Sequence, residues 1–309
     1  MAPVAVGRFA PSPSGDLHLG NLRTALVAWL FARSAGSRFL LRIEDLDVAT
    51  ATPEHEAAQL RDLRAIGVDW DGDLVRQSSR RARHDDVIAA LTERGLTYPC
   101  FCTRREIRDA AAAPHGPLPE GAYPGTCRDL SAAGRSARSA AGRPPALRLR
   151  THGEVVAFDD RIHGRVERTV DDVVLRRGDG TPAYNLAVVV DDADTGVGEV
   201  VRGDDLLAST PRQIHLAHLL GFAVPSYAHV PLVLGPDGRR LAKRDGAVTL
   251  SDRVALGETP GDVRARLAVS LGLAEPGERP TPADLVARFD VAALPRDPWV
   301  LGPADLGAG

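Results

Sequence analysis

Lysine is almost missing from this 309-residue chain: Lys243 is the only one among 38 cationic side chains, and all the others are arginine. Asparagine occurs only as Asn21 and Asn185. With abundant Ala, Gly, Pro and Val, this reads as a mutational bias against Lys and Asn codons, so the places where either survives are the first to search for a chemical requirement. Cysteine is limited to Cys100, Cys102 and Cys127. An odd number grouped in one segment suits a metal site better than a disulfide framework. No run approaches the roughly 18 uncharged apolar residues of a membrane span, and the N-terminus lacks a basic stretch followed by an apolar segment. A cytoplasmic protein is therefore expected. A large charge imbalance is absent too: 38 cationic against 41 acidic residues give a formal net charge of -3. That does not advertise nucleic-acid binding, yet a local basic face would suffice for it. The 44% hydrophobic content is ordinary for a globular chain of about two domains.

What is present alternates between strand and helix patterns. Val4 to Phe9 reads as a short strand, followed by the loop APSPSGD and a helix from about Gly20. In that helix Leu22, Ala25, Leu26, Trp29 and Leu30 form an apolar stripe, and Gly36 can close it in a left-handed conformation. RFLLRI (38–43) reads as a buried strand. Thr52 before Pro53 is an N-cap with Pro in the first turn, opening a helix to about Ile66. This β-α-β-α opening implies a parallel sheet with ligands bound beyond the carboxyl ends of its strands. From Tyr98 to about Arg150 the composition shifts, as in an insertion. Strands are expected at 146–150, 155–158, 173–175 and 184–190, with a turn at Gly178-Asp179-Gly180. A helix over 211–220, closed by Gly221, leads to a strand at 229–234, a Gly-Pro-Asp-Gly turn at 235–238, and a helix near 261–271. The Pro-rich tail beyond is too short for another large domain.

Three stretches carry chemistry. In GRFAPSPSGDLHLGN (7–21) a loop hands over to a helix N-terminus at His18-Leu19-Gly20-Asn21. Such a terminus offers unpaired N–H groups and a positive dipole end to an anion. A histidine beside it can donate to phosphate oxygens, and Gly20 lets the backbone approach a flat base. His-x-Gly-Asn alone is weak, but RIEDLD (42–47) and RRLAKRDGA (239–247) follow it.

With these motifs in this order the chain resembles the glutamyl-tRNA synthetase family of class I aminoacyl-tRNA synthetases. HLGN stands where that class carries His-Ile-Gly-His, and Arg240-Leu241-Ala242-Lys243-Arg244 where it carries Lys-Met-Ser-Lys-Ser; Tyr184-Asn185 and Val201-Arg202-Gly203 fall between. The resemblance covers about residues 4 to 272. It departs at Asn21 for the second histidine, Arg240 for the first lysine and Ala242 for the serine. It implies an α/β fold: a Rossmann-type parallel-sheet catalytic domain, a zinc-containing insertion and a short helical C-terminal region. The halves of the catalytic domain would be 1–98 and 181–235, the acceptor-binding insertion 99–180, and the Lys243 loop with a helical region 236–309.

The resemblance further implies that glutamate attacks the α-phosphorus of Mg-ATP to give glutamyl-adenylate and pyrophosphate. Catalysis of such a step is alignment and charge neutralisation, assigned here to His18 and Lys243. The lone lysine then falls where a compact charge on a flexible stem is wanted. ATP would be held by His18, Gly20, Asn21, Arg240, Leu241, Ala242, Lys243 and Arg244. Glutamate, with two carboxylates and one ammonium, needs planar cationic forks and an anion. By resemblance Arg8, Tyr184 and Arg202 meet the carboxylates and Glu44 the ammonium, with Phe9, Ala10, Pro11 and Ser12 along the wall.

Cys100-x-Cys102 followed by Tyr123 and Cys127 resembles the zinc site of the family's shortened members, one ion per chain; His115 is the chemically more ordinary fourth ligand, and three unligated cysteines are the alternative. Residues 131–150 hold Arg135, Arg138, Arg143, Arg148 and Arg150 with no acidic residue, either a face for a tRNA backbone or a solvated loop. Full-length members continue into helical domains that read the anticodon, whereas this chain stops soon after Lys243. That likens it to a truncated branch attaching glutamate to the queuosine base in the anticodon of tRNA(Asp). A minimal synthetase charging the tRNA 3′ end, a small-molecule adenylyltransferase and an inactive tRNA-binding module are the alternatives. The expected partners are ATP, L-glutamate and queuosine-containing tRNA(Asp), with the protein acting as a monomer away from membranes.

Overall fold

The computed structural model describes residues 5–111, 122–241 and 248–306. Strand β1 (Gly7–Phe9) leads through the Pro-Ser loop into helix α1 (Leu19–Ser34), then β2 (Phe39–Ile43), α2 (Pro53–Ala65), β3 (Val75–Arg76) and α3 (Arg81–Glu93). A second group follows: β4 (Thr97–Cys100), α4 (Arg104–Ala111), α5 (Ala132–Ala140), β5 (Ala146–Leu149), β6 (Val155–Asp160), β7 (Gly164–Thr169) and β8 (Val174–Arg176). Then come α6 (Tyr184–Asp194), β9 (Glu199–Gly203), α7 (Thr210–Leu220), β10 (Ser226–Val230), β11 (Val233–Leu234), α8 (Leu250–Ala255), α9 (Pro260–Ser270), α10 (Pro282–Arg288) and β12 (Trp299–Val300).

Strands β1, β2 and β3 pair in parallel, as do β9, β10 and β6. The N–H groups of Gly198 and Glu199 donate to the Val6 carbonyl, setting β1 beside β9. The parallel strands therefore run β3-β2-β1-β9-β10-β6, and the chain reverses its winding between β1 and β9. Ligands of doubly wound sheets bind beyond the carboxyl ends of the strands at such a reversal. Arg8 near the end of β1 and Arg202 near the end of β9 lie there. A separate antiparallel sheet, β4-β5-β8, belongs to the cysteine-bearing segment.

Helix α1 is buried nearly all round, because one side faces the sheet and the other is covered by α9 and α10. The Pro-rich tail supplies that cover: Leu285, Leu294, Leu301 and Leu306 join the same core as Leu22, Leu26 and Leu30. Thr52 caps α2 by accepting from the His55 N–H, with Pro53 in the first turn, and Gly36 takes φ +67° just beyond α1.

Two expectations fail. Residues 184–190 are not a strand but the first two turns of α6. Leu186 to Val190 are all buried, so the run shows neither period, and enclosure on every side overrides the strand preference of three valines. The strand over 229–234 is likewise two pieces, since Pro231 has no N–H to continue the ladder. Within 131–150, where either a basic face or a solvated loop is expected, the arginines differ in their surroundings. Ser131 caps α5, Arg143 pairs with Glu106, and Arg150 with Asp129. Arg148 is buried, donating to the Asp172 carbonyl and lying 3.8 Å over the Tyr123 ring. The acids missing from the segment are supplied by other parts of the chain. Among the described residues no helix is long and apolar enough to cross a membrane.

Candidate active site and metal centre

At the β1/β9 reversal lies a cavity of about 570 Å³. Arg8, Phe9, Ala10, Pro11, Ser12, Glu44, Tyr184 and Arg202 line it, together with His18, Gly20, Asn21, Arg240 and Leu241. Ala242, Lys243 and Arg244 lie outside the described residues. The loop after β1 is fixed from beneath: the Glu44 N–H donates to the Pro11 carbonyl, and buried Gln59 donates to the carbonyls of Ser12 and Gly15.

His18 is the N-cap of α1. Its Nδ1 accepts from the Asn21 N–H at 3.2 Å, while Asn21 Oδ1 accepts from the His18 N–H at 3.2 Å. Since Nδ1 is the acceptor, the neutral ring carries its proton on Nε2. Burial, reinforced by nearby Arg240, lowers the His18 pKa to about 4. In the ligand-free chain the ring is therefore uncharged at neutral pH and offers its Nε2–H as a hydrogen-bond donor. Gly20 serves the same ring, because a Cβ there would come within 3.0 Å of it. Arg240 pairs with Asp205 at 3.0 Å.

The two arginines at the ends of β1 and β9 differ sharply. Arg8 is locked by Asp192, which accepts from its Nε and Nη2 at 3.2 Å each. Asp192 also accepts from Arg42 Nη1 at 2.6 Å, and Arg42 Nη2 donates to Glu44 at 3.2 Å. Burial works against the charge of Asp192, yet Arg42 and Arg8 together hold its carboxyl below the usual range. Glu44 goes the other way: burial outweighs Arg42 and Arg8 and pushes it up, and a cation beside it would pull it back down.

Arg202 has no acidic partner among the described residues. Its Nε donates to His229 Nε2 at 3.1 Å, Nη1 to the Tyr184 hydroxyl at 3.3 Å and Nη2 to the Thr210 hydroxyl at 2.8 Å. A guanidinium has five N–H donors. Two stay unused, one on each terminal nitrogen, which is the fork that a carboxylate requires. Arg42, Asp192, Thr210 and His229 escaped the sequence reading. Arg42 stood inside RIEDLD unassigned, and the others carry no local signal because their partners are far away in the chain.

A second cavity, of about 790 Å³, shares Ser12, Glu44 and Tyr184 with the first and reaches Asp47, Arg177, Arg212, Cys102 and Tyr123. At its far wall the sulfurs of Cys100, Cys102 and Cys127 lie within 4.8 Å of one another, close enough to share one metal ion. The Tyr123 hydroxyl is 3.4 Å from Cys100 Sγ and 3.8 Å from Cys102 Sγ. Sulfurs on a tetrahedral zinc stand about 3.8 Å apart, so three thiolates and a phenol oxygen at these separations fit such an ion. His115 lies outside the described residues.

The family model for class I tRNA synthetases (E and Q), catalytic domain, matches residues 4–275. A glutamyl-Q tRNA(Asp) synthetase of Nocardia farcinica is 65% identical over 295 residues, covering 96% of this chain and 92% of that protein. A glutamate–tRNA ligase of Geobacter sulfurreducens is 42% identical over 306 residues, covering 97% of this chain but 64% of the ligase. The crystal structure of a glutamate tRNA ligase from Elizabethkingia meningosepticum in complex with its amino acid is similar with a TM-score of 0.80 at 26% identity, covering 98% of this chain and 68% of that one.

Proposed function

The chain belongs to the family of class I tRNA synthetases for glutamate and glutamine, and from that membership we propose that it activates L-glutamate with Mg-ATP and transfers it to the queuosine base in the anticodon of tRNA(Asp). The observation that carries the amino-acid choice is the fork of Arg202, which lines the first cavity and has no acidic partner among the described residues, and glutamate brings a carboxylate to fill it. Arg202 takes a carboxylate on its two free N–H groups, and Glu44 takes the ammonium. Arg8, already matched by Asp192, offers the remainder of its fork. Glutamine would leave a cationic fork short of its anion, and aspartate would not span the site.

In the first step a carboxylate oxygen of glutamate attacks the α-phosphorus, the bond to the β-phosphate oxygen breaks, and pyrophosphate leaves with that electron pair. His18 Nε2–H donates to a phosphate oxygen, and Lys243 supplies a positive charge; the metal that accompanies ATP adds charge neutralisation when bound. In the second step a hydroxyl of the queuosine diol attacks the acyl carbon, the bond from that carbon to the phosphate oxygen breaks, and AMP departs with that electron pair while the hydroxyl proton passes to the departing phosphate or to solvent. The second cavity supports this step, because it meets the first at Ser12, Glu44 and Tyr184 and is open enough for an everted nucleotide. The cysteine cluster with Tyr123 holds a structural zinc that ties down its wall and takes no part in the reaction. The protein works in the cytoplasm as a monomer.

The test offers labelled glutamate, ATP and the enzyme to tRNA from queuosine-containing and queuosine-deficient cells, each intact or trimmed of its 3′ adenosine. Label should enter only the queuosine-containing pool and survive trimming. Equal labelling of both pools, or label lost on trimming, would instead establish charging of the 3′ end. Glutamate-dependent ATP–pyrophosphate exchange should also proceed with no tRNA present.

A further inference from the structure

Three neighbouring strands bring a buried row of side chains behind Arg202. Asp160 ends β6, His229 lies on β10, and Arg202 faces His229 across the β10–β9 register. The side chains of Asp160 and His229 are completely buried. We propose that His229, oriented by Asp160, is a positioning residue that keeps Arg202 aimed, charged and unpaired for a substrate carboxylate. The inference rests on the glutamate reading above.

The geometry fixes the imidazole. Asp160 Oδ1 accepts from the N–H groups of Ile162 at 2.9 Å and His163 at 3.0 Å, the His229 N–H lies between the two carboxylate oxygens at 3.3 and 3.2 Å, and Oδ2 faces His229 Nδ1 at 2.6 Å. A carboxylate only accepts, so Nδ1 carries the proton and Nε2 presents its lone pair. That lone pair receives the Arg202 Nε–H and lies 3.0 Å from the Thr210 hydroxyl. Burial, with Arg202 adding to it, keeps the imidazole pKa below the usual histidine value against the pull of Asp160.

The choice of a neutral acceptor has a consequence that Arg8 makes visible. A carboxylate behind Arg202 would hold it equally well but would cancel its charge, as Asp192 does for Arg8. An imidazole acceptor orients the guanidinium and leaves the charge to the ligand. Asp160 is needed because a free imidazole could carry its proton on either nitrogen, and on Nε2 it would oppose the Arg202 donor.

The decisive variant is Asp160→Asn. The Ile162 and His163 N–H groups keep the amide oxygen in the Oδ1 position, so its NH2 turns to His229 Nδ1 and forces the ring proton onto Nε2, donor against donor. In glutamate-dependent pyrophosphate exchange, KM for glutamate should rise about tenfold or more, the size of one lost hydrogen bond to a charged group, with KM for ATP and kcat at saturating glutamate within about twofold. Nitrogen-15 signals of the His229 ring should change from Nδ1-protonated to Nε2-protonated. As a second pair, His229→Gln retains an acceptor for Arg202 and should stay nearer the wild-type KM than His229→Leu. Unchanged KM in Asp160→Asn, or Gln and Leu variants impaired alike, overturns the positioning role. Wild-type enzyme that exchanges equally well without glutamate overturns the substrate reading instead.

Discussion

Replacing Arg202 by lysine separates charge from geometry, since the positive charge stays and the planar fork goes. Arg202 spends three of its five donors on His229, Tyr184 and Thr210 and keeps two for the ligand. An ammonium on a flexible stem can still reach the carboxylate with one donor, so the variant forfeits about one charge-assisted hydrogen bond, worth about 1.5–3 kcal/mol. At about 1.4 kcal/mol per factor of ten, KM for glutamate should rise roughly 10- to 150-fold. Arg202→Ala removes both bonds and leaves the carboxylate without its cation, for an effect of roughly 3–6 kcal/mol or on the order of a thousandfold. The assay is pyrophosphate exchange at saturating ATP with glutamate varied, alongside a titration of ATP at saturating glutamate. KM for ATP should stay within about twofold in both variants, because the hydrogen bonds of Arg202 run to His229, Tyr184 and Thr210 and none runs to His18 or Asn21 at the start of α1. A lysine variant with unchanged glutamate KM, or both variants weakened equally toward ATP, would refute the assignment of a carboxylate to this fork.

Two further outcomes follow from the same reading. Lys243→Ala should lower kcat for activation by on the order of a hundredfold or more while glutamate KM stays near its original value; near-normal turnover would pass the role to Arg240 or Arg244. Metal analysis should find about one zinc per chain, and Cys100→Ser or Cys127→Ser should reduce the yield of folded protein more than activation by what folds. Zinc content that survives Tyr123→Phe but falls with His115→Ala would exchange the fourth ligand.

The sequence was most legible where position along the chain already says what a residue does. Arg8, Ser12, His18 and Glu44 sit at strand ends or a helix start within motifs of fixed order, and a parallel sheet delivers such places to one rim. The shell behind them was not legible, because Asp192 is 184 residues from Arg8 and 150 from Arg42, and nothing local in Asp191-Asp192-Ala193-Asp194 announces which aspartate turns inward. Taking 184–190 as a strand hid this further. A helix turns successive residues by about 100°, so Asp191 meets His84 and Gln77 while Asp192 meets Arg8 and Arg42. The basic segment was only partly legible for a similar reason: counting five arginines without acids over 131–150 says nothing about Glu106 and Asp129, which lie outside the window and pair with Arg143 and Arg150, or about the Asp172 backbone carbonyl that accepts from Arg148.

Arg8 and Arg202 look interchangeable in the sequence: each is an arginine near a strand end, and each matches a motif of the family. Their difference arises entirely from long-range partners. Arg8 is given a carboxylate and becomes part of a neutral, rigid wall that also holds Arg42 and, through it, Glu44. Arg202 is given an imidazole, a hydroxyl and a phenol, all neutral, and keeps a charge for whatever enters. Exchanging those environments would conserve every residue type in the motifs while moving the unpaired charge from the end of β9 to the neighbouring end of β1. Which of the two guanidiniums keeps its charge for a ligand is thus set by the acidic and neutral groups behind them, not by the motifs that carry them.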